Sequence, residues 1–463
     1  MSVQAVCTTG IYCVPSCPAR PLAHNVQAYR SAAAAEAAGF RACLRCRPYR
    51  SASEPTSGPE VVCRAVRLIA EGALDGRTET DLAARLGVSA RHLRRLFAEH
   101  VGTSPDGLAR SNRVHFARRL LDDSDLSVTD IAWASGFGSL RQLNRACRDV
   151  FRASPTELRA HRRRNDRLVA DGGLTLRLPF AGLLDWDRMV DYFASRAIRG
   201  VEHVGAGTYR RTITLDGRPG VLELARGADD HLHLRAHLPQ VSGLIHVVQR
   251  ARRIFGLDRD PSEANVRLAA DPVLAASVAA HPGLRVPGAW DAYETGVRAI
   301  VGQQVSVVGA GTVTARIVER AGSRVVGLES LGLSHTFPDP ATLAQADLEG
   351  IGMPGARAAA IRAFAAAVDK GDLPLDGRLP LDELVGAIGA VPGLGPWTAS
   401  YIAVRMGEAD AFPAADLGLR RAAAVGNAPL SERELVDRAE AWRPHRAAAA
   451  LRLWLGPGHP TPD

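Results

Sequence analysis

Four cysteines near the start of the chain constrain its fold more than any other feature. Cys13 and Cys17 are separated by three residues, Cys43 and Cys46 by two, and 25 residues lie between the pairs. Four thiols in two close pairs suit a tetrahedral Zn²⁺ site, because a short spacer turns both sulfurs of a pair towards one ion. The gap leaves room for a small fold between the pairs. Spacing alone does not separate a reactive centre from a purely structural zinc knuckle. Cys7, Cys63 and Cys147 lie outside the pattern. There is no run of eighteen apolar residues and no charged-then-apolar leader, so no membrane partner is expected. The chain is expected in the cytoplasm, in association with the nucleoid, where disulfides are disfavoured.

The charge points to a polyanion. Of 57 basic residues only Lys370 is a lysine, and the net charge is +8. Basic clusters at Arg91–Arg95 and Arg159–Arg167 favour nucleic acid. At 463 residues the chain can hold three or four domains, each with its own core.

Composition and periodicity divide it. Residues 1–50 hold the cysteine set, and a Ser/Pro/Gly stretch at 51–60 reads as a linker. Residues 61–163 are helical throughout, and a polar run followed by Asp-Gly-Gly marks a second linker at 164–173. From 174 to 240 apolar and polar residues alternate between glycine turns, which predicts a small antiparallel β domain. Residues 241–456 return to helices broken by Pro/Gly turns. The expected fold class is therefore multidomain α+β: a small zinc-binding α/β domain, an all-α region, a small β domain and a second all-α domain.

The first helical region contains an approximate repeat. DLAARLGVSARHLRRLF (81–97) parallels DIAWASGFGSLRQLNRAC (130–147), about 49 residues on. Each has a small residue, Ala83 or Ala132, then Gly87 or Gly136 for a tight turn, then an amphipathic helix. One face of the second helix is apolar. The other carries Arg91, Arg94 and Arg95, or Arg141, Asn144 and Arg145, side chains able to reach base edges and phosphates. The pair resembles the tandem helix-turn-helix domain of AraC-type regulators.

TTGIYCVPSCPAR (8–20) and the residues that follow it resemble the N-terminal domain of Ada DNA-repair proteins. That resemblance implies that Cys13 accepts a methyl group from a DNA methylphosphotriester, with Cys17, Cys43 and Cys46 as the remaining zinc ligands. Zinc keeps a thiol ionised, and the thiolate is the nucleophile. Methylation removes one negative charge from a formally −2 centre, which favours the DNA backbone and makes damage a switch for promoter binding. The sequence departs from the family: only seven residues precede Thr8, and Cys7 and Val14 stand where arginines are common. The domain is expected to be N-terminally short.

VPGLGPWTASYIAVR (391–405) has a glycine turn, with Gly393 and Gly395, that can offer backbone N–H groups to a DNA phosphate. FPAADLGL places Asp416 nineteen residues after Trp397. With RAIVGQQVS (298–306) and WRPHRAAAALRLWL, this region resembles the AlkA-type 3-methyladenine DNA glycosylases of the helix-hairpin-helix superfamily. The resemblance implies Asp416 as the catalytic carboxylate and Trp397, Tyr401 and Trp454 around a base pocket. Gln303 and Gln304 are candidates to fill the gap left by a flipped base, and helix-surface positions are the other reading. Trp397 occupies the position of a Schiff-base lysine, so a monofunctional glycosylase is expected. No Pro-Cys-His-Arg tetrapeptide occurs, so reversal of O6-alkylguanine is not expected.

Together these features suggest an Ada–AlkA fusion that acts on alkylated and promoter double-stranded DNA, contacts RNA polymerase and works as a monomer. Two other readings stay open: a regulator with an inert glycosylase remnant, or a glycosylase with a degenerate sensor.

Overall fold

The computed structural model describes residues 2–19, 21–50, 58–163, 166–168, 173–424, 426 and 428–456. Residues 51–57 of the first expected linker, and 164, 165 and 169–172 of the second, lie outside them. The chain folds into two compact units, one made of residues 1–181 and 230–252, the other of 182–229 and 253–463.

In the first unit, Val3–Val6, Ile11–Cys13, Val26–Tyr29 and Arg41–Ala42 form a small sheet. Val3–Val6 is an inner strand, antiparallel to Ile11–Cys13 on one side and Val26–Tyr29 on the other. The few residues before Thr8 thus supply a strand at the sheet's centre. Gly10, at φ +64°, allows the tight turn that returns the chain towards Cys13. Ser31 caps helix Ala32–Ala37 by accepting from Ala34 N.

Two helix pairs follow as the repeat predicts: Glu79–Arg85 with Ala90–His100, and Val128–Ala134 with Leu140–Phe151. Gly87 (φ +71°) and Gly136 (φ +76°) sit in the left-handed region at the turns. Ser89 and Ser139 cap the second helix of each pair. Leu93, Leu96 and Phe97, and equally Leu143, Ala146 and Cys147, are buried. Helix Pro105–Asp123 joins the pairs. Strand Leu174–Pro179 runs antiparallel to His231–His237 in the same unit.

The second unit contains the antiparallel strands Glu202–Gly205, Thr208–Leu215 and Arg218–Ala228. It also contains helix Trp186–Ala194, inside the segment expected to be purely β; Trp186, Met189 and Phe193 form its buried stripe. Its main core is shared by helices Ala292–Val301, Gly355–Asp369 and Pro396–Met406, through Val297, Ile300, Ile361, Phe364 and Ile402. Gly296 permits their close approach: a Cβ there would lie 2.1 Å from Phe364 Cζ. A second cluster of Leu268, Leu274, Leu419, Leu435, Trp442 and Leu453 anchors the segment after Asp416. Among the described residues no helix is long and apolar enough to cross a membrane.

Candidate active site, metal centre and DNA-binding surfaces

Asp416 begins helix Leu417–Ala422 and is fixed at both oxygens. Oδ1 accepts from Leu419 N at 2.8 Å, and Oδ2 accepts from the Trp397 indole N–H at 2.7 Å. Trp397 and Tyr401 lie one helical turn apart on Pro396–Met406, so their rings stack, with centroids 5.5 Å apart and planes 12° apart. Trp454 meets Tyr401 edge-on at 5.9 Å. These four residues line one cavity of about 340 Å³, a size that suits a small ligand or a single flipped base. All four were named from sequence, and the structure brings them together.

The cavity is more highly charged than an aromatic pocket alone. Arg196, Arg211, Arg298 and Arg405 line it alongside Glu202, Glu294 and Asp416. Arg211 bonds Glu294 at 2.6 Å and Arg298 bonds Glu202 at 2.9 Å, while Tyr209 donates to Glu202 at 2.6 Å. Arg405 donates through Nη1 to the hydroxyls of Tyr192 and Tyr401 and through Nη2 to Gly288 O at 2.7 Å. Burial alone would push the Tyr401 phenol up, but Arg405, then Arg196, hold it below the ordinary tyrosine range. Sequence reasoning passed over Arg405, although it follows Tyr401 by four residues on one helix face. The Glu–Arg quartet joins segments far apart in the chain and left no local signal.

Gly393 (φ +86°) forms the hairpin turn against helix Gly355–Asp369, where a Cβ would stand 2.6 Å from Ala360 Cβ. Gly395 starts Pro396–Met406 and is exposed. The two candidate glutamines separate in role. Gln303 Nε2 donates to Gly393 O at 3.2 Å and to Thr398 Oγ1 at 3.0 Å, which braces the hairpin. Gln304 is exposed, with φ +56°, beside exposed Val305.

In the other unit Cys13, Cys17, Cys43 and Cys46 converge, with all four sulfurs within 4.8 Å of one another. Bonds of about 2.3 Å to one tetrahedral ion place sulfurs about 3.8 Å apart, so the set fits zinc. Cys43 Sγ also accepts from Arg45 N at 3.4 Å. Burial first, then Cys43 and Cys46, hold the Cys13 thiol well above its usual range; burial, Cys43 and Cys17 push Cys46 up to about 12. Four thiolates so close together repel one another, and a bound cation relieves that repulsion. Cys13 and Cys43 are the more buried pair. Next to Cys13, Tyr12 donates to Glu36 at 2.6 Å and lies 3.1 Å from His115 Nε2 of helix Pro105–Asp123.

On the helix-turn-helix motifs, Arg91, Arg95, Arg141 and Arg145 are exposed. Arg94 is exposed but ion-paired with Glu79 of the preceding helix. Asn144 is half-buried and turns its amide to Leu140 O at 3.0 Å, on its own helix. Arg94 and Asn144 are thus both engaged by partners within the protein.

Fold and sites define a class: a helix-hairpin-helix DNA glycosylase fused to a zinc-binding, helix-turn-helix DNA-binding module. Comparison with known proteins gives the same order of parts. The sequence matches the metal binding domain of Ada over residues 2–49 and a helix-turn-helix domain over 82–161. It matches the AlkA N-terminal domain over 175–291 and the HhH-GPD superfamily base excision DNA repair protein over 297–432. A "Probable bifunctional transcriptional activator/DNA repair enzyme AlkA" of Mycobacterium tuberculosis is 41% identical, covering 99% of this chain and 93% of that protein. DNA-3-methyladenine glycosylase 2 of Escherichia coli is 34% identical over 281 residues, 59% of this chain and 94% of the relative. In fold, the 3-methyladenine DNA-glycosylase from Archaeoglobus fulgidus superposes with a TM-score of 0.54 at 22% identity, covering 60% of this chain and 97% of its own. The chain belongs to the family of bifunctional Ada/AlkA-type transcriptional activators and DNA repair enzymes. Its cysteine cluster is a Zn²⁺ site, its second unit carries a DNA glycosylase domain, and DNA is its partner.

Proposed function

We propose that the protein excises alkylated bases of the 3-methyladenine type by hydrolysis of the N-glycosidic bond. The observation that carries this is Asp416, held by Leu419 N–H and the Trp397 indole at the wall of a base-sized aromatic cavity. As the bond breaks, the sugar becomes oxocarbenium-like, and a fixed carboxylate stabilises that positive charge. The bases at issue already carry positive charge, so they depart without strong acid catalysis, and stacked Trp397 and Tyr401 can hold them. The reaction stops at the abasic site: Lys370, the chain's one lysine, is exposed at the end of helix Gly355–Asp369 and does not line the cavity.

The zinc module has a second task. Cys13 Sγ attacks the methyl carbon of a methylphosphotriester, the C–O bond breaks, and the phosphodiester leaves as an anion. Cys13, Cys17, Cys43 and Cys46 would hold a zinc ion, which would supply the charge that keeps their thiols ionised, and methylation of Cys13 removes one negative charge from this set. Affinity for promoter DNA then rises, and transcription is activated through contact with RNA polymerase. Domain limits of 1–50, 61–163, 174–240 and 241–456 assign sensing, DNA reading and excision to separate segments. Both helix-turn-helix motifs lie on one chain, so a monomer makes two groove contacts without a second copy.

The test incubates the full chain with methylated duplex and scores free 3-methyladenine. Wild type is expected to release it and Asp416→Asn to release it far more slowly; release by the variant at the wild-type rate refutes the assignment. Peptide mass spectrometry of the same mixture should place a methyl on Cys13, and wild-type protein methylated elsewhere or not at all refutes the sensor role.

A further inference from the structure

Strand His231–His237 reads HLHLRAH, and its alternation sorts the side chains by face. Leu232, Leu234 and Ala236 are buried, so His231, His233, Arg235 and His237 share the opposite face. The rings of His231 and His233 meet there. Their Nε2 atoms are 3.2 Å apart, their ring centres 5.1 Å apart, and their planes 45° apart. On its far side His231 turns Nδ1 to Asp230 Oδ1 at 2.6 Å. A carboxylate accepting from Nδ1–H fixes the tautomer whose Nε2 carries the lone pair. Burial first, then His231 and Arg177, hold the His233 imidazole below its usual range, which favours a second neutral ring. Two Nε2 lone pairs at this distance repel unless a proton or a metal ion lies between them.

The ring geometry separates the two. A straight N–H···N bond of this length would hold the ring centres about 5.5 Å apart. Two imidazoles bound at about 2.0 to 2.1 Å to one tetrahedral ion bring their nitrogens to about 3.3 Å and their ring centres to about 5.2 Å. The observed 3.2 Å and 5.1 Å match the second arrangement. We infer that His231 and His233 form a second metal site, separate from the cysteine set, for a divalent late transition ion with water in its remaining positions. Copper, nickel and zinc are the ions that imidazole favours. Asp230 is the outer partner that orients His231 and raises its basicity as a ligand. Arg177 stands across the strand pair from His233, but its guanidinium donates to Asp123 Oδ1 and Asp166 O, each at 2.8 Å. Its charge is therefore matched by a carboxylate and does not exclude a cation from the histidines. Two neutral imidazoles hold an ion less tightly than four thiolates, so this ion exchanges on dialysis while the cysteine-bound zinc stays.

The experiment titrates the untagged, zinc-loaded full chain with Ni²⁺ by calorimetry, because Ni²⁺ binds imidazole and does not oxidise thiols. Zinc content is measured before and after, so that exchange at the cysteines is seen directly. Wild type is expected to take up one Ni²⁺ and keep its zinc. Asp230→Ala removes the outer carboxylate from an exposed position and should weaken Ni²⁺ binding about tenfold. His231→Ala and His233→Ala each remove a ligand and should weaken it further. His237→Ala, on the same face of the strand, should bind as wild type does. Saturating Ni²⁺ should also raise the melting temperature of wild type and leave that of His233→Ala unchanged. Should either ligand variant fail to fold, Asp230→Ala against His237→Ala still decides the matter. Wild type that takes up no ion beyond its zinc shows that the pair shares only a proton, and overturns the inference. Uptake that survives His233→Ala, or that falls equally in Asp230→Ala and His237→Ala, overturns it as well.

Discussion

Trp397→Phe isolates one bond in the active site. The ring can remain stacked on Tyr401, at the 5.5 Å separation and 12° tilt of the native pair, while the indole N–H is lost. Asp416 then keeps a single donor, Leu419 N at 2.8 Å, and Oδ2 loses its 2.7 Å partner. A hydrogen bond to an ionised group contributes about 1.5 to 3 kcal/mol. At about 1.4 kcal/mol per decade, full loss of that bond in the transition state slows base release roughly 10- to 150-fold. The effect belongs in the chemical step, because the carboxylate acts on charge that appears only as the bond breaks.

Single-turnover release from a methylated duplex, with protein in excess, reads that step without product release. The decisive comparison is the double variant. If Trp397 acts through Asp416, then Trp397→Phe costs almost nothing in an Asp416→Asn background, and the coupling energy nearly equals the single-variant effect. Equal losses in both backgrounds would mean that the indole serves base binding rather than the carboxylate. An unchanged rate in the single variant would refute the orienting role outright.

Four further outcomes follow. Cys43→Ser or Cys46→Ser should remove bound zinc from the purified protein, read by elemental analysis, and lower the melting temperature of the first unit; full zinc content in either variant contradicts a four-thiolate site. Gly393→Ala forces a side chain into a left-handed backbone and within 2.6 Å of Ala360 Cβ. It should cost about 1 to 3 kcal/mol of stability and weaken duplex binding, measured by chemical denaturation and fluorescence anisotropy. Borohydride added during base release should trap no covalent protein–DNA adduct. Asp271 is the pH test: burial alone would raise its carboxyl, but Arg438, Val273 N–H and Trp442 hold it below the usual aspartate range. Its stabilisation is therefore complete above about pH 4 and is lost as pH falls through the lowered value. The melting gap between wild type and Asp271→Asn should be wide at pH 7 and close at lower pH; a constant gap refutes it.

How much of this was legible in the sequence depended on distance along the chain. Cysteine pairs and turn glycines act within a few residues, so Cys13 with Cys17, Gly87 before its helix, and Gly393 with Gly395 left local patterns that the structure reproduces. Asp416 and Trp397 were found through a motif, yet their hydrogen bond was not, because spacing does not report which way an indole points. Gln303 shows the limit more sharply. Its amide looked free to fill a gap, but it bonds Gly393 and Thr398, 90 and 95 residues away. Helix Trp186–Ala194 was hidden for another reason. Its stripe is only three residues long and lies among strands, where alternation dominates any window. Buried charges such as Arg405, Glu202 and Glu294 resemble surface residues in composition, and only three-dimensional packing shows them lining a cavity.

The way the zinc module meets the DNA-binding helices bears on how a methyl group could change promoter affinity. Two buried polar clusters join them. At one, Tyr12, beside Cys13, meets Glu36 and His115; burial alone would raise Glu36, but His115 and Tyr12 keep its carboxyl low and charged. At the other, Arg47, next to Cys46, bonds Asp166 at 2.7 Å, while Tyr49 and Arg50 bond Asp122 of helix Pro105–Asp123. Breaking a buried charged pair by removing one partner costs several kcal/mol. A single methyl on an adjacent sulfur supplies no comparable force, so a switch that worked by prising the module off the helix would have to overcome both clusters. A change in charge needs no such movement. Loss of one negative charge acts at once on the phosphates nearest the module, and its effect weakens as salt shortens the screening length to about 10 Å at 0.1 M. Methylated and unmethylated protein should therefore differ in promoter affinity most at low salt and converge as salt rises, whereas a switch by domain rearrangement would keep its ratio across the same range.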